Sequence, residues 1–141
     1  MNIAIAADHG GFELKQHLVK YLAENGNNVT DLGCQGSESV DYPIFARKAA
    51  DAVLSGGCEL GILVCGTGIG MSIVANKISG IRAAVCGDVF SAEMARAHND
   101  ANILAIGARV IDSALAERIV DKFISTKFDG GRHKVRVDMY E

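Results

Sequence analysis

Gly61-Ile62-Leu63-Val64-Cys65-Gly66-Thr67-Gly68-Ile69-Gly70 passes from an uncharged apolar run, through a cysteine, to alternating glycines. Leu60 to Val64 is bare of charge, which predicts a parallel strand covered on both faces. Such a strand delivers Cys65 to its C-terminal end, where open α/β sheets place their ligands. Gly66, Gly68 and Gly70 allow successive backbone N–H groups to converge as an anion-binding nest. A thiol that can move a proton then stands beside donors that can hold an oxyanion. Taken alone, the same stretch also fits a tight strand-to-helix turn with a buried, inert cysteine.

On both sides of this run the chain alternates strands and helices. Asn2 to Ala7 reads as a strand ending in Asp8-His9-Gly10-Gly11. Phe12 to Glu24 has helical spacing, with Phe12, Leu14, Leu18, Val19 and Leu22 on one side and Lys15, Lys20 and Glu24 on the other. Asn25-Gly26 stops that helix. Asn28 to Leu32 reads as a second strand, and 33–42 as a polar functional loop. Pro43 suits the first turn of a helix running to Leu54. After the glycine turn come a helix over Met71 to Ile78, a strand over Ile81 to Cys86, a helix from Ser91 to about Ala97, and a strand over Asn102 to Ile106. Ser113 is placed to cap a last helix with Leu115, Ile119, Val120, Phe123 and Ile124 as its apolar stripe. This rhythm predicts right-handed βαβ units and a single α/β domain over 1–141, a three-layer α/β/α Rossmann-like sandwich with a five-stranded parallel sheet.

The composition narrows the function classes. The net charge of −3 provides no basic field for a polyanion, and the absence of tryptophan weakens any case for base stacking, so nucleic acid is not an expected partner. No apolar run approaches membrane-spanning length, and the start of the chain lacks a basic n-region and cleavage site. The four cysteines, at 34, 58, 65 and 86, have no zinc or iron–sulfur spacing. The expectation is a reduced, cytoplasmic protein without metal or cofactor.

Aligning the strand ends gathers polar chemistry. Asp8 and His9 follow the first strand, Cys65 the third, and Gly107 to Arg109 the fifth. His98-Asn99-Asp100 ends the helix before the fifth strand, so topology puts it on the opposite rim. Either a loop carries His98 back, or a neighbouring subunit supplies it. Each residue also has a structural reading: Asp8 as a helix cap, His98 at a helix C-terminus, Asn99 in a turn. The segment 128–141 concentrates positive charge in Arg132, Lys134 and Arg136. Val135, Val137 and Met139 alternate with polar residues there, which predicts an extended C-terminal arm docking on a partner subunit.

Several stretches carry a resemblance that covers essentially the whole chain in order. Ala7-Asp8-His9-Gly10-Gly11, Asp41-Tyr42-Pro43, Cys65-Gly66-Thr67-Gly68-Ile69-Gly70, Ala75-Asn76-Lys77, Gly80-Ile81-Arg82-Ala83, His98-Asn99-Asp100-Ala101-Asn102 and Gly130-Gly131-Arg132-His133 are similar to the B-type ribose-5-phosphate isomerases. That family also includes the subunits of galactose-6-phosphate isomerase. The resemblance implies a metal-independent aldose–ketose isomerase with strand order 2-1-3-5-4. It also implies a homodimer or dimer of dimers whose active sites are shared, so that His98 and Asn99 complete the neighbour's site. Some members carry serine where Cys65 stands and a glutamate base near the position of Met71; here methionine leaves the role to Cys65.

By the same resemblance the substrate is a sugar phosphate, ribose 5-phosphate exchanging with ribulose 5-phosphate. His98 opens the furanose while Asp8 holds a ring hydroxyl. Cys65 takes the C2 proton and returns it to C1, Thr67 shuttles hydroxyl protons, and Tyr42 belongs to the substrate-binding set. The cis-enediolate oxygen meets the N–H groups of Gly66, Gly68, Ile69 and Gly70, with Asn99. The phosphate goes to His9, Arg109, Arg132 and Arg136, guanidinium being well shaped for its oxygens. A free thiol titrates near ~8.5, so the glycine amides have to favour the thiolate. Two other readings stay open. One is a six-carbon substrate such as allose 6-phosphate or galactose 6-phosphate. The other is a non-catalytic phosphate- or nucleotide-binding module, against which stands the absence of a Walker lysine-serine pair after the glycines.

Overall fold

A computed structural model describes residues 1–141. Five strands, β1 (Asn2–Ala7), β2 (Asn28–Asp31), β3 (Leu60–Cys65), β4 (Ala83–Val85) and β5 (Ile103–Gly107), pair in the order β2-β1-β3-β5-β4, every pair parallel. Six helices accompany them: α1 (Phe12–Glu24), α2 (Tyr42–Leu54), α3 (Ile69–Asn76), α4 (Val89–Ala97), α5 (Ser113–Ser125) and α6 (Arg132–Val137). Both the expected three layers and the expected strand order are present. No helix is long and apolar enough to cross a membrane.

The pleat sorts the core into two halves. Ile3, Ile5, Ile62, Val64, Leu104 and Ile106 face one way, into the stripes of α1, α4 and α5 that carry Leu18, Leu22, Ala95, Ile119 and Phe123. Ala6, Leu63, Cys65, Ile103 and Ala105 face the other way, against Ala46, Ala49 and Ala50 of α2 and Met71 and Ala75 of α3. Small residues on both sides of this second interface let α2 and α3 approach closely. That approach brings their N-termini toward the end of β3. Across the first layer, Tyr21 of α1 donates to Asp121 of α5 at 2.6 Å, which pushes the phenol up to about 12.

Several expectations need correction. Lys15, placed on the polar side of α1 by its spacing, is fully buried, with Nζ 2.7 and 2.6 Å from the two carboxylate oxygens of Asp31. Ser113 is the first residue of α5 and does not cap it; Asp112 does, accepting from Leu115 N–H at 2.8 Å. The strand expected over 81–86 shortens to Ala83–Val85 because Asn side chains replace ladder bonds at its start. Asn102 Oδ1 accepts from Arg82 N–H at 2.8 Å and Asn76 Oδ1 from Ala83 N–H at 2.7 Å. The third helix starts at Ile69, directly after the turn, and stops at Asn76. The expected extended arm is instead helical: 132–137 form α6, with His133 and Val137 buried on their own chain while Val135 and Met139 are exposed.

Candidate active site

The C-terminal edge of the sheet collects Asp8, His9, Cys65, Thr67 and Arg109, as their sequence positions require. Cys65 is the last residue of β3, paired with Gly107 of β5 and 6% exposed. Its Sγ accepts from the N–H of Gly68 at 3.1 Å. Gly68 turns at φ 80°, a conformation that favours glycine, and caps α3. An ideal Cβ at Gly70 would stand 2.9 Å from the Tyr42 ring, so the start of α2 lies directly over the turn.

The turn that follows the sulfur is rich in amide donors. Gly68 N–H is engaged by Cys65, and Ile69 N–H by Thr67 Oγ1 at 3.3 Å. Gly66, Thr67 and Gly70 N–H have no acceptor within the chain. The oxyanion-donor set read from the sequence thus divides. Gly68 and Ile69 order the turn, while Gly66, Thr67 and Gly70 N–H, within the same expected span of 66–70, are free. Unpaired donors at the start of α3 carry the positive end of the helix dipole. A hydrogen bond to sulfur strengthens when the sulfur is charged.

Three more groups meet at the same edge. The Cβ position of Gly10 lies 3.3 Å from Asp8 Oδ1, 3.5 Å from Gly66 N and 3.7 Å from Arg109 Nη2. Asp8 does close the turn into α1, accepting from Gly11 N–H at 3.1 Å through Oδ1. His9 Nδ1 accepts from Val40 N–H at 3.2 Å. Neutral His9 therefore carries its proton on Nε2 and presents a donor with its free nitrogen. The loop 33–41 thus holds His9 through Val40 N–H. His9 and Arg109 bring donors and positive charge to a cavity of about 530 Å³, whose wall also carries His17, Glu13 and Asp112.

His98, Asn99, Arg132 and Arg136 are elsewhere. His98 follows the last turn of α4, and Asn99 lies on the way to the start of β5. The sheet runs between the edges: from the Gly61/Ile103 pair to the Cys65/Gly107 pair is about 13 Å at ~3.3 Å per residue. On this second edge His98 stacks on His133, ring centroids 4.1 Å apart and planes 7° from parallel. Asn99 borders a cavity of about 430 Å³ with Arg82, Asn76 and Tyr140. The tail is moored there by Asp129 N–H to Ala97 O at 3.0 Å and by an ion pair between Glu141 and Arg82. Burial, reinforced by His98, Arg132 and Arg136, pushes the His133 imidazolium down. One chain therefore carries the expected residues as two separated groups. His133 had no predicted role, since its burial comes from the fold of the tail and not from spacing.

The chain matches the model of the ribose/galactose isomerase family over residues 3–140. It is 49% identical to ribose-5-phosphate isomerase B of Escherichia coli over 96% of this chain and 91% of that protein. It is 44% identical to the D-erythrulose-4-phosphate isomerase of Pectobacterium atrosepticum, over 98% and 91% of the two chains. The solved ribose-5-phosphate isomerase B of Clostridium thermocellum superposes with a TM-score of 0.98 at 53% identity, covering 99% of this chain and 94% of that one. With a family model and relatives both spanning nearly its full length, the chain belongs to the ribose/galactose isomerase family of sugar phosphate isomerases.

Proposed function

We propose that the protein interconverts ribose 5-phosphate and ribulose 5-phosphate, with Cys65 as the base of the enolisation. The observation that carries this reading is the Cys65 thiol just before α3, hydrogen-bonded by Gly68 N–H in a turn whose Gly66, Thr67 and Gly70 amides are free. Cys65 removes the C2 proton of the open aldose and O1 gains a proton, giving the cis-enediol; the O2 proton then leaves as C1 is protonated. The free amides hold the oxygen that carries charge between these steps. Thr67, exposed beside the sulfur, relays the hydroxyl protons. His9 donates through Nε2, and Arg109 supplies the charge for the phosphate.

Ring opening is assigned to His98 of a second copy, with Asn99, Arg132 and Arg136 beside it. The support is the separation of these residues from Cys65 across the sheet, which leaves each single-chain site with His9, assigned to the phosphate, as its imidazole and without His98. The enzyme is thus read as a homodimer, or a dimer of such dimers. Its four free cysteines suit the reducing cytoplasm.

A second reading, a sugar phosphate of another length, is favoured by the Pectobacterium relative, whose name gives a four-carbon substrate. Turnover of ribose 5-phosphate, allose 6-phosphate and erythrulose 4-phosphate, each in EDTA, separates the readings. Preferred turnover of the pentose is expected. Turnover of another sugar alone would overturn the substrate, and loss of activity in EDTA would overturn a metal-independent thiol base.

A further inference from the structure

The imidazole hydrogen bonds within the chain belong to His9 and His17. His98 and His133 instead hold each other face to face, 4.1 Å between centroids and 7° from parallel. A stack fixes the plane of a ring while leaving both of its nitrogens open at the edge. His98, Asp129 and His133 do bring ligand-type atoms within 4.8 Å of one another, the spacing of a metal site. Parallel rings, however, aim their lone pairs along parallel planes, so one ion could not lie in both. The pair as built orients an imidazole; it does not chelate.

Helical geometry links this stack to the arginines. On α6, His133 and Val137 are four residues apart and form the buried face. Arg132 and Arg136 are also four apart, one position round, and stay exposed. Whatever fixes His133 therefore sets the direction of both guanidinium groups. A helix of six residues has no stability of its own and takes its position from its docking contacts.

We propose that His133 is a positioning residue for ring opening: its stack fixes the His98 ring and delivers it with Arg132 and Arg136 as one unit. The inference rests on the assignment of ring opening to His98. Burial, then His98, Arg132 and Arg136, hold the His133 imidazolium below the ordinary histidine value. Asp129 is the one acidic group that opposes this bias on His133.

The test exploits substrate chemistry. Ribulose 5-phosphate, with its carbonyl at C2 and O5 esterified, closes no furanose ring. Exchange of its C1 proton with deuterated water therefore reports enolisation without ring opening. In His133→Ala, kcat for ribose 5-phosphate should fall roughly 10-fold or more, within what a positioned acid/base group contributes. KM should rise, while the exchange rate at saturation stays near wild type. His133→Gln, which keeps a flat neutral group on His98, should recover most of the lost turnover. Wild-type turnover in His133→Ala would overturn the proposal, as would equal losses of both reactions in both variants. His98→Asn run in parallel separates the failures. If His98→Asn shows no such split, the ring-opening assignment itself falls; if it does and His133→Ala does not, only the role of His133 falls.

Discussion

Cys65 and Cys86 are 6% and 2% exposed, so burial alone does not distinguish the proposed catalytic thiol from a structural one. Surroundings do. Cys86 has no amide donor: burial, then the charge of Asp88, pushes its thiol up to about 11, and it stays protonated at neutral pH. Cys65 has the Gly68 N–H on its sulfur and further unpaired amides beside it. Cys65→Ala should therefore cut turnover by roughly 10²–10⁴-fold or more, the span of a positioned base, while leaving the fold intact. Cys65→Ser should be severely impaired too, because a hydroxyl is a far weaker base than a thiol near pH 7. Cys86→Ala should keep close to full turnover. A steady-state assay of the three variants checks this, and wild-type rates in Cys65→Ala would remove the thiol from the reaction. The cysteine and the glycine turn were legible in the sequence as a chemical possibility. Which amides are free was not, because that depends on the φ of Gly68 and the register of β3 on β5.

Among the elements, α1 and α6 hold what periodicity does not disclose. Lysine at position 15 reads as solvent-facing, yet the end of β2 brings Asp31 to it and the pair is fixed under the sheet edge. Asp31 Oδ1 also accepts from Gly33 N–H at 2.9 Å, and Gly33 O accepts from Ala7 N–H at 2.7 Å. The ion pair thus fixes the chain leaving β2, which runs on to Val40 and the hydrogen bond to His9. The two partners are not equivalent: Lys15 is wholly buried, while the Asp31 side chain is 24% exposed. Asp31→Ala strands a buried ammonium and should cost about 3 kcal/mol or more. Lys15→Met fills the same space and leaves a carboxylate with solvent and an amide, so about 1 kcal/mol or less is expected. Urea unfolding at one fixed protein concentration measures both, and equal losses would contradict the asymmetry. The docking of α6 has its own pH dependence. His133 binds protons more weakly when docked, because of burial, His98, Arg132 and Arg136, with Asp129 opposing. Docking is then fully present above the ordinary histidine value and weakens as pH falls below it. Hydrogen exchange over 132–137, corrected for intrinsic rate, should accelerate below about pH 6.5, and a flat response would contradict the linkage. The tail misled the sequence reading for a simple reason: Val135, Val137 and Met139 alternate like a strand, but 132–137 wind into a helix whose docked face is His133 and Val137, four residues apart.

In the whole molecule, βαβ topology fixes the two edges. Parallel strands send Cys65 and Arg109 to one end, and a helix returning antiparallel to them leaves His98 at the other. The sequence alone exposed this conflict, because it follows from connectivity and not from side-chain detail. It also left open whether a loop or a second copy resolves it. The α4 helix runs straight to Ala97 and the tail closes over its end, so no loop carries His98 back. The proposed resolution is exchange between two copies, each giving its His98, Asn99, Arg132 and Arg136 to the other's Cys65. A mixed dimer of one Cys65→Ala chain and one Arg136→Ala chain tests it. With exchange, one site receives both defects and the other receives neither, so about half the wild-type activity survives, as expected for independent sites. If each chain serves its own site, both sites carry one defect and the mixed dimer is nearly inactive. The homodimers of each variant set the baseline, since both have the same single defect in each site under either arrangement. Activity in the mixture well above both baselines is expected, and its absence in a verified heterodimer would place the arginines back in their own chain's site.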